Sequence, residues 1–175
     1  QKITAYAIPI IFAITVHEAA HGYAAKYFGD MTAHYLGRIS LNPFKHIDPI
    51  GTIILPALTV WMGGILFGWA KPVPVNFSNL RNPKKNMMWV ALAGPLSNLL
   101  MAIFWTFLYA RLQLFPDSSI FFLQVMALAG IQINLILMVL NMLPIPPLDG
   151  GRVAVSLLPY PWSSYIENLE KYGLF

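Results

Sequence analysis

Cysteine is absent from the 175 residues, and charged side chains make up only 10% of them. The first absence excludes disulfides and thiolate metal ligands, so a zinc ion here must draw on His, Asp or Glu. The second departs from the roughly 25% charge of an ordinary soluble domain. Acidic groups are scarcest, with seven Asp and Glu against eleven Lys and Arg. The net charge of +4 is no nucleic-acid footprint, because the basic residues sit in short loops between apolar runs. That distribution follows the positive-inside rule and excludes nucleic acid as a partner.

What the chain has instead is apolar length. Hydrophobic residues make up 57% of it, and uncharged runs cover 51–68, 86–110 and 118–148. A helix needs about 20 mostly apolar residues to cross the hydrocarbon core. The second and third runs pass that test and the first is borderline. The composition predicts one domain over residues 1–175, an all-α polytopic membrane protein in contact with the lipid bilayer. Its architecture is expected to be a bundle of transmembrane helices with a re-entrant or extended membrane-associated segment. Residues 171–175 read as the approach to a further span, as if the domain were cut short there.

Within the first apolar stretch stands His17-Glu18-Ala19-Ala20-His21. Two histidines four apart lie within about 40° of each other on one helix face, so both imidazoles can reach one metal ion. The glutamate between them is placed to act as a base on water. Shuffling the composition would give about 0.002 such matches in the whole chain. Histidines bonded within a helix bundle are the plainer alternative.

The first helix is expected over 3–28, ending at Gly29-Asp30, with Pro9 tolerated inside it. A polar connector over 31–50 carries His34 and His46, which have no ligand-like spacing and read as solvated. The apolar segment 51–69 is interrupted by Pro56 and Gly63-Gly64. Lys71-Pro72-Val73-Pro74-Val75-Asn76 follows, and its prolines favour extended geometry. Helices are expected over 87–110 and 119–141, with a turn over 111–118. Asp149 then reads either as a cap for a helix over 152–158 or as a third metal donor. Both readings stand at this point, although a carboxylate at membrane depth defaults to function.

If the histidine pair is to meet Asp149, the end of the first helix and the end of 119–141 lie on one side. Helix 87–110 then starts on that side, and 51–69 must leave it and return, as a re-entrant hairpin does. That side collects Arg38, Lys45, Lys71, Arg81, Lys84 and Lys85, whereas the other holds Lys2 and Arg111. The basic excess assigns the metal side to the cytoplasm.

Together, His17-Glu18-Ala19-Ala20-His21-Gly22 and Asn141-Met142-Leu143-Pro144-Ile145-Pro146-Pro147-Leu148-Asp149-Gly150-Gly151-Arg152 resemble the site-2 protease family of intramembrane zinc metalloproteases. The similarity takes in Asn42-Pro43, Asp48-Pro49-Ile50-Gly51-Thr52, Gly68–Asn76 and Ala93-Gly94-Pro95-Leu96-Ser97-Asn98. It covers nearly the full length and looks like the compact prokaryotic branch without PDZ or CBS domains. The resemblance implies one Zn2+ per chain held by His17, His21 and Asp149, with Glu18 as the catalytic carboxylate. It also implies a role for Asn98 near the site, as a donor to the substrate carbonyl or oxyanion, and a bracing role for Asn141 at the Asp149 turn.

The function this implies is a zinc endopeptidase of the cytoplasmic membrane, multi-pass, cutting a membrane-protein substrate helix with its active site nearer the cytoplasm. A substrate helix must unwind to expose its peptide bonds, and the Val73 and Val75 N–H groups are expected to pair with it as an edge strand would. A metal-ion transporter and an inactive helix-binding adaptor are the alternatives. The first leaves Glu18 without a purpose and the second sits badly with an intact Glu18.

Overall fold

A computed structural model describes residues 2–63, 68–115 and 120–170. Helices are the regular structure throughout these residues, and they contain no strand. The long helices are α1 (Lys2–Phe28), α4 (Pro83–Leu112) and α5 (Phe121–Asn141). Four shorter ones complete the set: α2 (Thr32–Tyr35), α3 (Leu55–Trp61), α6 (Asp149–Leu157) and α7 (Trp162–Glu170).

Local chemistry sets the ends of these elements. α1 stops where Gly29 takes a positive φ of 114°, a conformation open to glycine and closed to most residues. Pro83 opens α4 at a position where its missing N–H costs nothing. This start four residues before Met87 is earlier than apolar patterning suggested, because Lys84 and Lys85 are sound helix formers despite their charge. The helix also continues to Leu112, which shortens the turn expected over 111–118; residues 116–119 lie outside the described set.

α4 and α5 are long and apolar enough to cross a membrane, with mean hydropathies of 1.7 and 2.1. Their outward faces carry Leu100, Ile103, Phe107, Ile136 and Val139, all largely exposed. Their inward faces are small: Ala102, Ala127, Ala129 and Gly130 are buried. The Trp105 indole lies against Gly130, where any Cβ would overlap the ring. Small residues of this kind let helix backbones approach closely.

The three long helices pack together, with α4 antiparallel to the other two. Asn98 of α4 donates its amide to Asn134 of α5 at 2.9 Å and reaches the Ala13 carbonyl of α1 at 3.4 Å. Further along, His21 of α1 meets the Val90 carbonyl of α4. As α1 advances from 13 to 21, α4 therefore retreats from 98 to 90. The ends of α1 and α5 and the start of α4 consequently share one end of the bundle.

The segment expected to turn back on itself does return. Asp48 caps a π-helical turn (Pro49–Ile54) by accepting from the Ile50 and Gly51 N–H groups, and α3 follows. The Trp69 N–H then donates to the Gly51 carbonyl at 3.0 Å, and the Thr52 hydroxyl donates to the Trp69 carbonyl at 2.9 Å. Residues 64–67 lie outside the described set. His34 is exposed as expected, but His46 is not a solvated residue. It is 3% exposed, and its Nε2–H donates to the Ser40 carbonyl at 2.8 Å.

Asp30 ties this end of the bundle together. It has no exposed surface, and its carboxylate accepts from the Thr32 N–H and hydroxyl, the Asn76 N–H and the Asn79 amide. Burial pushes its pKa up, but the four donors outweigh burial and hold it below the ordinary carboxylate value. A lowered folded pKa contributes stability above the unfolded value near 4, and that contribution disappears as pH falls through the folded value. Asp30→Asn should therefore be less stable than wild type at neutral pH, and the gap should close below about pH 4. Thermal unfolding of both proteins in detergent across pH 2–7 checks this; a gap independent of pH would refute it.

Candidate active site

His17 and His21 project from the same face of α1, and each ring is fixed through its Nδ1. His17 Nδ1 donates to the Asn98 Oδ1 at 2.5 Å and His21 Nδ1 to the Val90 carbonyl at 2.7 Å. With both Nδ1–H groups committed to oxygen acceptors, both Nε2 atoms present bare lone pairs. They face each other at 3.0 Å.

Asp149 completes the group. It lies in the first turn of α6 instead of capping it, since Leu148 is the N-cap and makes no side-chain cap bond. Its Oδ2 sits 3.2 Å from His17 Nε2 and 3.3 Å from His21 Nε2. That oxygen is buried and has no hydrogen-bond donor.

Three acceptors, one buried and two partly buried, facing one another at 3.0–3.3 Å repel unless a cation lies among them. Tetrahedral zinc with ligands near 2.0–2.1 Å separates neighbouring donor atoms by about 3.3 Å. The donor set, the orphaned oxygen and the spacing all fit such an ion. His17, His21 and Asp149 form the potential metal-holding group found among the described residues.

Glu18, half-buried beside the pair, accepts the Val73 N–H on its Oε2 at 2.7 Å. The extended strap 71–76 thus crosses the same cleft, a cavity of about 220 Å³ whose walls include Glu18, Val73, Val75, Asn141 and Asp149. The Val73 N–H expected to be open to a partner strand is therefore already engaged by Glu18. Val75 also lines the cleft, two residues on.

Asn98 lies against the histidine pair. It is 0% exposed, its oxygen holds His17, and its amide is spent on Asn134 and Ala13. It stands behind the histidine and is not among the residues lining the cleft. Asn141 lines the cleft, but its amide donates to the Leu137 carbonyl of its own helix, not to the Asp149 turn.

Three further residues shape the site. Arg152, one helical turn after Asp149, lines the cleft with its guanidinium 4.6 Å over the Phe77 ring; the i, i+3 spacing is its signal. Asn134 braces Asn98, which a lone polar residue at membrane depth hints at but cannot specify. Gly94 supplies space. A Cβ there would lie 2.6 Å from the His17 ring and closer still to His21. Gly94→Ala should force the imidazoles apart and weaken zinc binding by roughly ten- to a hundredfold, as disturbing a ligand's support does. Competition against a chromophoric chelator reads this, with the exposed Leu100→Ala on the same helix as control; equal affinities would refute it.

The chain is 39% identical over 170 residues to "Putative zinc metalloprotease YwhC" of Bacillus subtilis, a match covering 95% of this chain and 74% of that protein. It is 34% identical over 141 residues to "Putative zinc metalloprotease Rip2" of Mycolicibacterium smegmatis, covering 80% of this chain and 52% of the relative. An archaeal relative, "Putative zinc metalloprotease MJ0611" of Methanocaldococcus jannaschii, is 39% identical over 74 residues, which is 42% of this chain and 36% of the relative. The chain thus spans about three quarters of YwhC and about half of Rip2. No protein-family model and no solved structure matches it. The similarity to YwhC runs through both halves of the donor set, the histidine helix and the Asp149 turn, and on it the chain belongs to the site-2 protease family of zinc metalloproteases.

Proposed function

We propose that this chain is a zinc endopeptidase that cuts membrane-embedded or membrane-proximal segments of other proteins. One observation carries the reading: Asp149, more than a hundred residues downstream, closes the donor triangle with His17 and His21 beside Glu18. A metal site with three protein donors leaves a fourth position for water or substrate.

Zinc, when bound, lowers the pKa of water to about 7 and polarises the scissile carbonyl. Glu18 removes a proton from the attacking water and returns it to the nitrogen as the C–N bond breaks. Asn98 and the Val90 carbonyl hold the imidazoles in the tautomer that presents Nε2. Val73 holds one Glu18 oxygen, leaving the other for proton transfer.

The membrane setting follows from α4 and α5, whose exposed faces are apolar and would face lipid. With α1 beside them the chain is multi-pass, and Trp69 returns to Gly51 and Thr52 at the same side of the bundle. The metal end of the bundle carries Arg38, Lys45, Lys71, Arg81, Lys84 and Lys85, which by the positive-inside rule puts the active site nearer the cytoplasm. A substrate helix has its peptide bonds shielded by its own hydrogen bonds, so it must unwind to react. An unwound segment pairs with the Val75 backbone on the strap, as an added strand does.

The reading predicts that Glu18→Gln keeps zinc and loses cleavage of a tagged membrane helix in reconstituted vesicles by about 10²–10⁴-fold. A chelator should abolish wild-type cleavage and added zinc restore it. A metal transporter would keep its flux with Gln at position 18, and an adaptor would show no cleavage to lose; either result overturns the proposal. Val75→Pro, which removes one backbone donor, should lower kcat/KM at least about fivefold with zinc content unchanged. Equal kcat/KM would rule out pairing at Val75.

A further inference from the structure

Two side chains that take no part in metal binding grip the strap over the cleft. Arg38 donates from one guanidinium nitrogen to the Lys71 and Pro72 carbonyls, at 3.1 and 3.2 Å. Asp30 accepts the Asn76 N–H at 2.7 Å. The first grip lies just before Val73 and the second three residues after it. The described residues contain no strand, so the strap has no sheet ladder to fix its height. A backbone without a ladder is held by side chains or drifts.

The sequence of the strap makes this matter. Pro72 and Pro74 lack N–H groups and hold φ near −65°, so Val73 carries the one donor in Pro72-Val73-Pro74. That donor meets the Glu18 carboxylate at 2.7 Å. Val73 itself is 7% exposed, and its side chain faces Gly22, where an added Cβ would lie 3.2 Å from it. Lys71 adds a further tie through its N–H to the His46 carbonyl at 2.9 Å, which gives the buried connector histidine a place in the same support.

Asp30 is a costly way to build a joint. A carboxylate with no exposed surface forfeits its hydration and is tolerated where several donors replace water. All of its partners belong to Thr32, Asn76 and Asn79, the segments that bring the strap alongside the end of α1. Glu18 and Asp30 therefore hold the same strap from α1 and its C-terminal end.

We propose that Asp30 and Arg38 are positioning residues for hydrolysis, clamping the strap at both ends so that the Val73 N–H aims the Glu18 carboxylate into the cleft. This rests on the peptidase reading and extends it to residues outside the metal set. Misplacing a reacting group by about 1 Å costs on the order of a hundredfold in rate, so releasing either clamp should act on kcat and not on metal content.

The absence of cysteine allows a direct test in the full-length chain. A Val73→Cys thiol keeps the backbone N–H and reports the strap through its rate of alkylation by N-ethylmaleimide. In Asp30→Asn and Arg38→Ala backgrounds that rate should rise at least about tenfold, as a buried position opens. With Val73 native, the same two variants should lose about ten- to a hundredfold in kcat at wild-type zinc content. Arg38→Lys, which keeps a donor for the strap carbonyls, should recover most of that loss and keep the thiol protected. Arg38 lies at a partly exposed loop position, so its variants test the idea even if Asp30→Asn fails to fold. An unchanged kcat, a fall in kcat without faster alkylation, or a fall explained by lost zinc would each overturn the positioning role. A wild type without zinc-dependent cleavage would sink the peptidase reading, and the positioning role with it. A wild type that cleaves beside clamp variants that cleave equally well would sink only the latter.

Discussion

The site depends on how closely α1 and α4 approach at Gly94. Both imidazoles lie where a side chain at that position would be, and each ring is held from behind by α4, one through Asn98 and the other through the Val90 carbonyl. Those two bonds select the tautomer that turns both Nε2 lone pairs inward. With a Cβ at position 94 the helices would stand further apart, and the rings could not bond α4 and converge on one point together. The rest of the bundle supports that contact. Asn134 holds Asn98, and the small residues between α4 and α5 bring Asn134 near enough to do so.

A chain so poor in acidic residues makes each one informative. Asp30 knots α1 to the strap, Asp48 caps the π-helical turn that starts the hairpin, Glu18 meets Val73, and Asp149 meets the histidine pair. In an apolar fold a carboxylate must find donors or a cation. These four do so at one end of the bundle, which is why that end, and not the apolar faces of α4 and α5, carries the chemistry.

Much of this was legible in the sequence, for identifiable reasons. The histidine spacing is a local helical property, and α1 spans Lys2–Phe28 much as the apolar run indicated. The need for Asp149 to meet the histidines constrained the side on which each helix starts, and the antiparallel path of α4 along α1 agrees with it. What stayed hidden depends on pairing across the fold. That the Asn98 amide bonds Asn134 and Ala13 cannot be read from its sequence neighbours. His46 looked solvated because a polar connector gives no sign of folding over its own histidine. Asp149 looked equally like a cap because Asp-Gly-Gly fits a helix start, and the side chain's direction is decided by the turn before it.

That turn shows why the donor triangle is a property of the whole fold. Gly150 and Gly151 sit against the backbone of residues 142–146, with no room for a Cβ at either, so α6 doubles back tightly on the end of α5. Only this reversal delivers Asp149 to the end of α1. Two acceptors arrive on one helix and the third on another, and their mutual repulsion opposes the final docking of α6. A divalent cation converts that repulsion into attraction, so metal binding and the closure of α6 are linked in free energy. With a cation bound, the Asp149 turn and the histidine helix would be two halves of one joint, with the strap beside it held by Arg38 and Asp30.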